Sequence, residues 1–269
     1  MSEATPAAAP VLLESAHGGI AVLVMNRPER MNALNNDLAT ALHSSLQRIA
    51  KEDSIRVIVL RGAGRAFCAG GDLGVIGQGR EAGNSKQLEP LLRAGMGMVL
   101  TMRTMSQPVI AAVNGAAAGA GMNIALAADI RISAEEATFG QNFAKVGLFP
   151  DYGGTYFLPQ LVGPSKAAEM FYTGDMIDAQ TALRLGLVSR VVPAAQLEAE
   201  ARTLAQKIAS GPPLAIRAVK KVMFAEQKEA LERALENEVA HQMKCFASGD
   251  CLEGVHAFFE KRAPRFQGR

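Results

Sequence analysis

Apolar residues fall along this chain in two rhythms. In the first half, short unbroken apolar runs are closed by Gly, Asn or Pro, the pattern of strands. Ile20 to Met25 reads as one strand, ended by Asn26-Arg27-Pro28, and Ile55 to Leu60 alternates as a second. Val109 to Val113 reads as a buried strand and Ile130-Arg131-Ile132 as a short one. Between them come helical spacings. Leu38, Leu42, Leu46 and Ile49 share a face behind Asn35-Asn36, whose side chains suit an N-cap. Leu88, Leu91, Leu92, Met96, Val99 and Met102 repeat between Leu88 and Met105, with the methionines as core filler. The segment Gln78 to Lys86 is polar and Gly-containing and is expected to be mobile. Ala137 to Gly140 leads into a loop and a short helix ending near Gly147, and Phe149 to Gly154 is a turn-rich junction.

From Thr155 onward helical spacing dominates. It predicts helices at Pro164–Tyr172, Ala179–Leu185, Ala195–Ala209, Pro212–Phe224, Glu226–Ala247 and Leu252–Lys261, interrupted by a strand at Leu187–Val192. Strand–helix alternation followed by helices implies an α/β core with a helical C-terminal part, divided as 1–200 and 201–269.

Composition narrows the class. With 49% hydrophobic residues, the 269-residue chain can bury a large core, and a net charge of +2 implies neither nucleic acid nor an anionic membrane as partner. Cys68, Cys245 and Cys251 have no metal or disulfide spacing, which fits a reducing compartment. His17, His43, His241 and His256 form no ligand cluster and read as surface or packing residues. The start, MSEATPAAAP, lacks the pattern of a secretion signal and reads as a frayed end, so a cytoplasmic location is expected.

The stretch Pro108 to Asp129 carries the first candidate chemistry. Its strand breaks at Asn114-Gly115 and passes through Gly119-Ala120-Gly121 into a run, Met122 to Ala128, apolar enough for a buried helix. Unpaired N–H groups at such a helix start suit an anion, or a carbonyl oxygen that gains charge. Close helix packing without function fits the same residues. A membrane span fits poorly, because Ala and Gly dominate, and Ile124 stands where a dinucleotide fingerprint needs its third Gly. Ala66 to Leu73 (AFCAGGDL) is a second loop of small residues.

Several stretches in order carry a resemblance. Asn26-Arg27-Pro28 with Asn32-Ala33-Leu34, then Ala66 to Leu73, Pro108 to Gly115 with Gly119-Ala120-Gly121, Gly147 to Gly154 and Phe258 to Arg262 together resemble the crotonase (enoyl-CoA hydratase/isomerase) family. The resemblance spans nearly the whole chain. It implies a spiral of ββα units, a C-terminal helical region that builds a homotrimer or a hexamer of paired trimers, and an acyl-CoA thioester substrate. It implies no metal and no cofactor beyond the coenzyme A of the substrate.

By motif position the resemblance puts the thioester oxygen between the N–H groups of Gly71 and Ala120. Ala69, Gly119, Asn123 and Phe143 become positions against the substrate. Asp72 and Leu73 lie where relatives cover adenine, and Arg30, Phe258 and Lys261 where CoA phosphates and pantetheine pass; each basic residue equally reads as a solvated charge. The two glutamates of the family's hydratases fall at Asn123 and Phe143, so both carboxylates are absent. Asp151 lies where the Asp-based isomerase branch, which includes enoyl-CoA and epoxyphenylacetyl-CoA isomerases, carries its acid/base. Moving a double bond needs one such group. Apolar Phe143, Leu148 and Phe149 are placed to raise its pKa, and a turn or helix-cap role for Asp151 fits the same Asp-x-Gly context. Three alternatives stand beside an isomerase: a hydratase, a protein that binds CoA esters without catalysis, and a dehalogenase with nucleophilic Asp. The last pairs its Asp with a Trp, and this chain has none.

Overall fold

The computed structural model describes residues 9–16 and 18–269, with only the backbone given for 14–16. Residues 1–8 of the start expected to fray, and His17, lie outside the described residues. Ala9 and Pro10 are tied down: their carbonyls accept from the Asn26 side chain and the Asn26 N–H, at 3.0 and 2.8 Å.

Buried runs build the main sheet. Strands β1 (Val11–Ala16) and β2 (Ile20–Met25) pair antiparallel. Parallel to β2 run β3 (Val57–Gly62), β5 (Val109–Val113), β7 (Ile130–Ala134) and β10 (Arg190–Val192), in the order β1-β2-β3-β5-β7-β10. A smaller sheet holds β4 (Ala66–Cys68), β6 (Ala116–Ala118), β8 (Thr138–Gly140) and β9 (Met176–Asp178) in that order, with β9 antiparallel to β8. The pairs β3–β4, β5–β6 and β7–β8 each leave one strand in each sheet before the chain enters a helix, so the ββα spiral is present.

The strand expected at Ile55 to Leu60 begins at Val57 and does not alternate: Val57 to Leu60 are all buried. One face is covered by α8 (Ala194–Ala209), which packs on β2, β3, β5 and β7 and presents Leu197, Ala201, Ala205 and Ala209 to them. Covered on both faces, a parallel strand has no reason to alternate. The expected division at residue 200 falls inside this helix.

Helix α1 (Asn36–Ile49) is capped by Asn35, which accepts from the Leu38 N–H at 2.9 Å. Helix α2 (Leu73–Glu81) and the 3-10 turn Ser85–Leu88 replace the mobile segment expected at Gln78 to Lys86. Three glycines hid this helix, yet they serve its packing. A Cβ at Gly77 would lie 3.0 Å from Val255, and one at Gly79 2.7 Å from Gln87. Tertiary contact overrides the low helix propensity of Gly here. Helix α3 (Glu89–Thr104) packs against α1. Helix α4 (Ala120–Ala127) is buried at all eight residues and lies among α3, β4 and β6.

Helices α5 (Gly154–Val162), α6 (Pro164–Thr173) and α7 (Ala179–Arg184) follow, then α8, α9 (Pro213–Ala225), α10 (Lys228–Ala247) and α11 (Gly249–Phe259). Pro159 inside α5 and the glycine pair at its start masked it in the sequence. Helix α10 packs on α3 and α5, and α11 packs on α2. The three cysteines are free, and among the described residues no helix is long and apolar enough to cross a membrane.

One buried ion pair fastens α9 to this core. Lys220 Nζ donates to the Met102 and Gln107 carbonyls and to Asp129 Oδ2, each at 2.8 Å, and that oxygen also takes the Val109 N–H at 2.7 Å. Removing one partner of a buried pair strands the other, at about 3–5 kcal/mol. Lys220→Met is therefore expected to lower the urea midpoint by an amount worth about 3 kcal/mol at unchanged slope. A loss well below about 1 kcal/mol would show that the pair holds nothing.

Candidate active site

Two backbone bends bring two amides to one place. Leu34 and Gly71 form a parallel bridge in which the Leu34 N–H donates to the Gly70 carbonyl and the Asp72 N–H to the Leu34 carbonyl. Successive N–H groups of extended backbone face opposite sides, so the Gly71 N–H points away from that bridge and has no acceptor among the described residues. Ala120 is the first residue of α4, where an N–H has no intrahelical partner. Gly119 precedes it at φ +52°, ψ −125°, a conformation open to glycine, and its own N–H is taken by the Gly140 carbonyl at 2.8 Å. Gly70, at φ +95°, packs directly on this turn: a Cβ there would lie 2.8 Å from the Ala118 carbonyl oxygen and 3.8 Å from the Ala120 nitrogen.

Both amides open on a cavity of about 620 Å³ between these loops, α3, α10 and α11. Ala69, Gly71, Asp72, Leu73, Gly119 and Ala120 line it. Phe143, packed against the Gly119 turn, and Asp151 line it too, and Arg30 and Phe258 lie in the lining near solvent. Asp72 caps α2 through the Gly74 N–H at 3.1 Å and pairs with Arg27 at 3.1 Å, which fixes this loop. A second depression of about 750 Å³ lies at the C-terminal tail; the Glu253–Arg262 pair lines it, and none of the expected site residues does.

Two expected site residues do not line the cavity. Asn123 is fully buried behind its wall. Its Nδ2 donates to the Asp151 carbonyl at 2.7 Å, and its Oδ1 accepts from Gln141 Nε2 at 2.6 Å. The position that would carry a hydratase glutamate here anchors the Asp151 backbone. Lys261 follows α11 at φ +54° on the exposed surface, outside the lining. His43, His241 and His256 stay outside it too, and His241 stacks on Phe149 with ring centroids 5.2 Å apart. Among the described residues no group of three His, Cys, Asp or Glu is placed to hold a metal.

Asp151 is the buried carboxyl of the cavity lining, beside the less buried Asp72 and the exposed Glu29. Its side chain caps no helix: the N–H groups at the start of α5 belong to Glu238. Asp151 is 6% exposed and has no ion-pair partner among the described residues. Oδ2 accepts from Gln242 Nε2 at 3.1 Å, and Oδ1 is buried without a hydrogen-bond partner among the described residues. Burial is the main force on its proton, and with the nearby Glu238 charge it pushes the pKa up to about 8 against the Gln242 hydrogen bond. The carboxyl can thus hold or release a proton near neutral pH.

The loop around Asp151 is built to stay put. Tyr152 is buried at φ +54°, a left-handed backbone disfavoured for a side chain of this size, and Gly153 follows at +83°. Tyr152 is held by its hydroxyl, which donates to the Leu91 carbonyl at 3.1 Å, and by a notch in α3 that exists because residue 95 is Gly. From α10, Glu238 accepts from Gly153 N–H at 2.7 Å, Thr155 N–H at 2.9 Å and the Thr155 hydroxyl. Burial raises the Glu238 pKa, and these hydrogen bonds oppose the rise. Sequence reasoning missed Glu238, Gln242 and Tyr152. The signal for the first two was present: they stand among Leu231, Leu235, Val239 and Phe246 on the buried stripe of α10.

The sequence profile described as "Enoyl-CoA hydratase/isomerase" matches residues 15–269. A protein of Rhodobacter capsulatus named "Probable enoyl-CoA hydratase" is 44% identical over 254 residues, covering 93% of this chain and 95% of its own. The "1,2-epoxyphenylacetyl-CoA isomerase" of Escherichia coli is 36% identical over 96% of this chain and 98% of its own. A solved enoyl-CoA hydratase from Mycobacterium avium subsp. paratuberculosis superposes with a TM-score of 0.87 at 30% identity, covering 96% of this chain and 99% of that one.

The Tyr152 notch is directly testable. A Cβ on residue 95 would stand 2.1 Å from Tyr152 Cζ. Gly95→Ala is expected to destabilise by about 1–3 kcal/mol in a denaturant melt. Tyr152→Ala in the same chain should relieve the clash, so the double variant loses less than the sum of the single losses. Strict additivity would contradict the contact.

Proposed function

The chain belongs to the enoyl-CoA hydratase/isomerase family, and from that premise we propose that it is an acyl-CoA isomerase with Asp151 as its one acid/base. One observation carries the proposal. The cavity is lined by two backbone amides without an acceptor among the described residues, Gly71 and Ala120, and by one buried carboxyl, Asp151, while the positions of the hydratase glutamates hold Asn123 and Phe143.

In this reading the thioester oxygen of an acyl-CoA lies between the two N–H groups. Ionised Asp151 takes a proton from the carbon next to the thioester. The electron pair of that C–H bond becomes an enolate, and its charge settles on the oxygen already facing the two donors. Protonated Asp151 then returns the same proton to the carbon two positions further along. The double bond shifts, the carboxylate is restored, and nothing is gained or lost. For an arylacetyl-CoA with an epoxide on its ring, the ring C–C bond under the oxygen opens to a seven-membered oxygen ring, and the proton that Asp151 takes from the carbon next to the thioester returns to that ring, so mass is again conserved. Phe143, against the Gly119 turn, keeps that side of the cavity apolar. Arg30 and Phe258 would meet the CoA portion. Acid/base exchange by a carboxyl raised to about 8 is matched to this task, because neither direction is steeply uphill near neutral pH.

Water addition is the second reading, supported by the hydratase name of the 44% identical relative. Incubation with 2-enoyl-, 3-enoyl- and epoxyphenylacetyl-CoA separates the two by product mass. Isomerisation conserves mass; a product heavier by one water overturns the isomerase proposal.

Three further outcomes follow. Asp151→Asn should lower turnover by about 10²–10⁴-fold with CoA-ester affinity within a few-fold, and retained turnover would remove Asp151 from the mechanism. Ala120→Pro deletes the amide donor and should abolish turnover in a variant whose circular dichroism melt matches the parent, whereas Ala120→Gly stays mild. For the unmodified enzyme, log kcat/KM should rise with pH to a midpoint near about 8, because the base must first lose its proton. A profile flat from pH about 6 to about 9 would contradict that base.

Assembly is proposed with it. Helix α9 exposes Leu214, Val222 and Met223, and a second copy of the chain in a trimer or paired trimer is the occupant proposed for that face. Val222→Glu with Met223→Glu should reduce the sedimenting mass, and an unchanged mass would exclude α9 from the interface.

A further inference from the structure

The Asp151 carboxyl is held by one side chain. Gln242 donates from Nε2 to Oδ2 at 3.1 Å, and its Oε1 accepts from the Phe149 N–H at 2.9 Å. That second bond settles which end of the carboxamide faces which way. Oε1 is committed to a backbone donor, so the NH₂ is the end presented to Asp151. Gln242 also lines the cavity and is 1% exposed, so the contact is shielded from solvent. Oδ1 of Asp151 is the oxygen without a partner.

The charged and titratable surroundings are few. From α10, Glu238 lies one turn before Gln242, with its carboxylate on the Gly153 and Thr155 N–H groups at the start of α5. From the loop itself, the Tyr152 hydroxyl is buried on the Leu91 carbonyl, and burial holds its proton well above the ordinary tyrosine range. No cation pairs with Asp151 among the described residues.

We propose that Gln242 is the positioning residue of the Asp151 carboxyl: its carboxamide donates to Oδ2, fixes the carboxyl's orientation in the cavity wall and favours its ionised form, an assignment that rests on Asp151 being the acid/base. The Nε2 donor stabilises the ionised carboxyl, against the burial and the Glu238 charge that both favour the proton. Without it, the base would be protonated through more of the neutral range. Gln suits the position because it donates to Asp151 and accepts from Phe149 while carrying no charge of its own.

Two variants separate this role from plain support of the loop. Gln242→Met removes both hydrogen bonds. Gln242→Glu keeps the acceptor for the Phe149 N–H but replaces the donor with a second carboxyl. The readout is the carboxyl resonance of Asp151 in isotope-labelled protein titrated by NMR, assigned by its absence in Asp151→Asn. The pH profile of kcat/KM is recorded in parallel.

The titration midpoint should move upward by about one pH unit or more in both variants. Gln242→Glu should move furthest, as two carboxyls then share the site. At pH 7, kcat/KM should fall about tenfold for each pH unit that the midpoint rises and recover at higher pH. A supporting role alone predicts that the charge-free Gln242→Met variant leaves the midpoint and the profile where they were, and that result overturns the proposal. If Gln242→Met does not fold, Gln242→Asn, which draws the carboxamide back by one carbon without adding charge, gives the same readout. Retained turnover in Asp151→Asn would defeat the acid/base reading; the NMR midpoints test the Gln242–Asp151 coupling independently of it.

Discussion

A carboxyl without a counter-charge, buried in an apolar wall, is the constraint on which the rest of this molecule turns. Water would normally solvate Asp151, and burial removes that solvation. What replaces it is sparse: one carboxamide on one oxygen. Such a group stays in place only if the backbone around it cannot relax. The loop 149–155 is accordingly fixed from several directions. Asn123 reaches it from α4, Glu238 and Gln242 from α10, and Tyr152 locks into α3. Two consecutive left-handed residues, Tyr152 and Gly153, turn the chain so that these anchors and the carboxyl can all be met.

The other part of the cavity lining is made of backbone. The two small-residue loops supply N–H groups that nothing among the described residues accepts, and they are aimed by glycine conformations and by a strand bridge. These two amides need no side chain of their own, which is why Gly and Ala can occupy positions of such consequence. The α4 start also brings the positive end of a helix dipole behind Ala120. A cavity lined by preset donors and by one buried proton-carrying group is suited to making and discharging an enolate.

Much of the fold was legible because burial writes itself into the chain. The apolar runs of β2 and β5, the Asn35 cap and the four-residue ladder of α1 are local signals. The strands β4, β6, β8 and β9 have three residues each, too few for any period to show. Helix α2 hid behind glycines whose value lies in contacts with α11 and the turn at Leu88, which no local window contains. The cavity residues Gly71, Ala120 and Asp151 were found through motif position. Gln242 was not, since its partner lies 91 residues earlier in the chain and only the fold brings them together. Asn123 was read as facing substrate because position in a motif does not tell which way a side chain points; in the structure it turns behind the wall to hold the Asp151 carbonyl.

The central claim is that one carboxyl removes a proton and returns it. The most direct measurement uses a 3-enoyl-CoA deuterated at the carbon next to the thioester, turned over in ordinary water, with the label located in the product. A buried Asp151 shielded from solvent should carry part of the deuterium to the carbon two positions away, in a product of unchanged composition. A product that has gained one water, or a 2-enoyl product with no deuterium at the distal carbon, would contradict it.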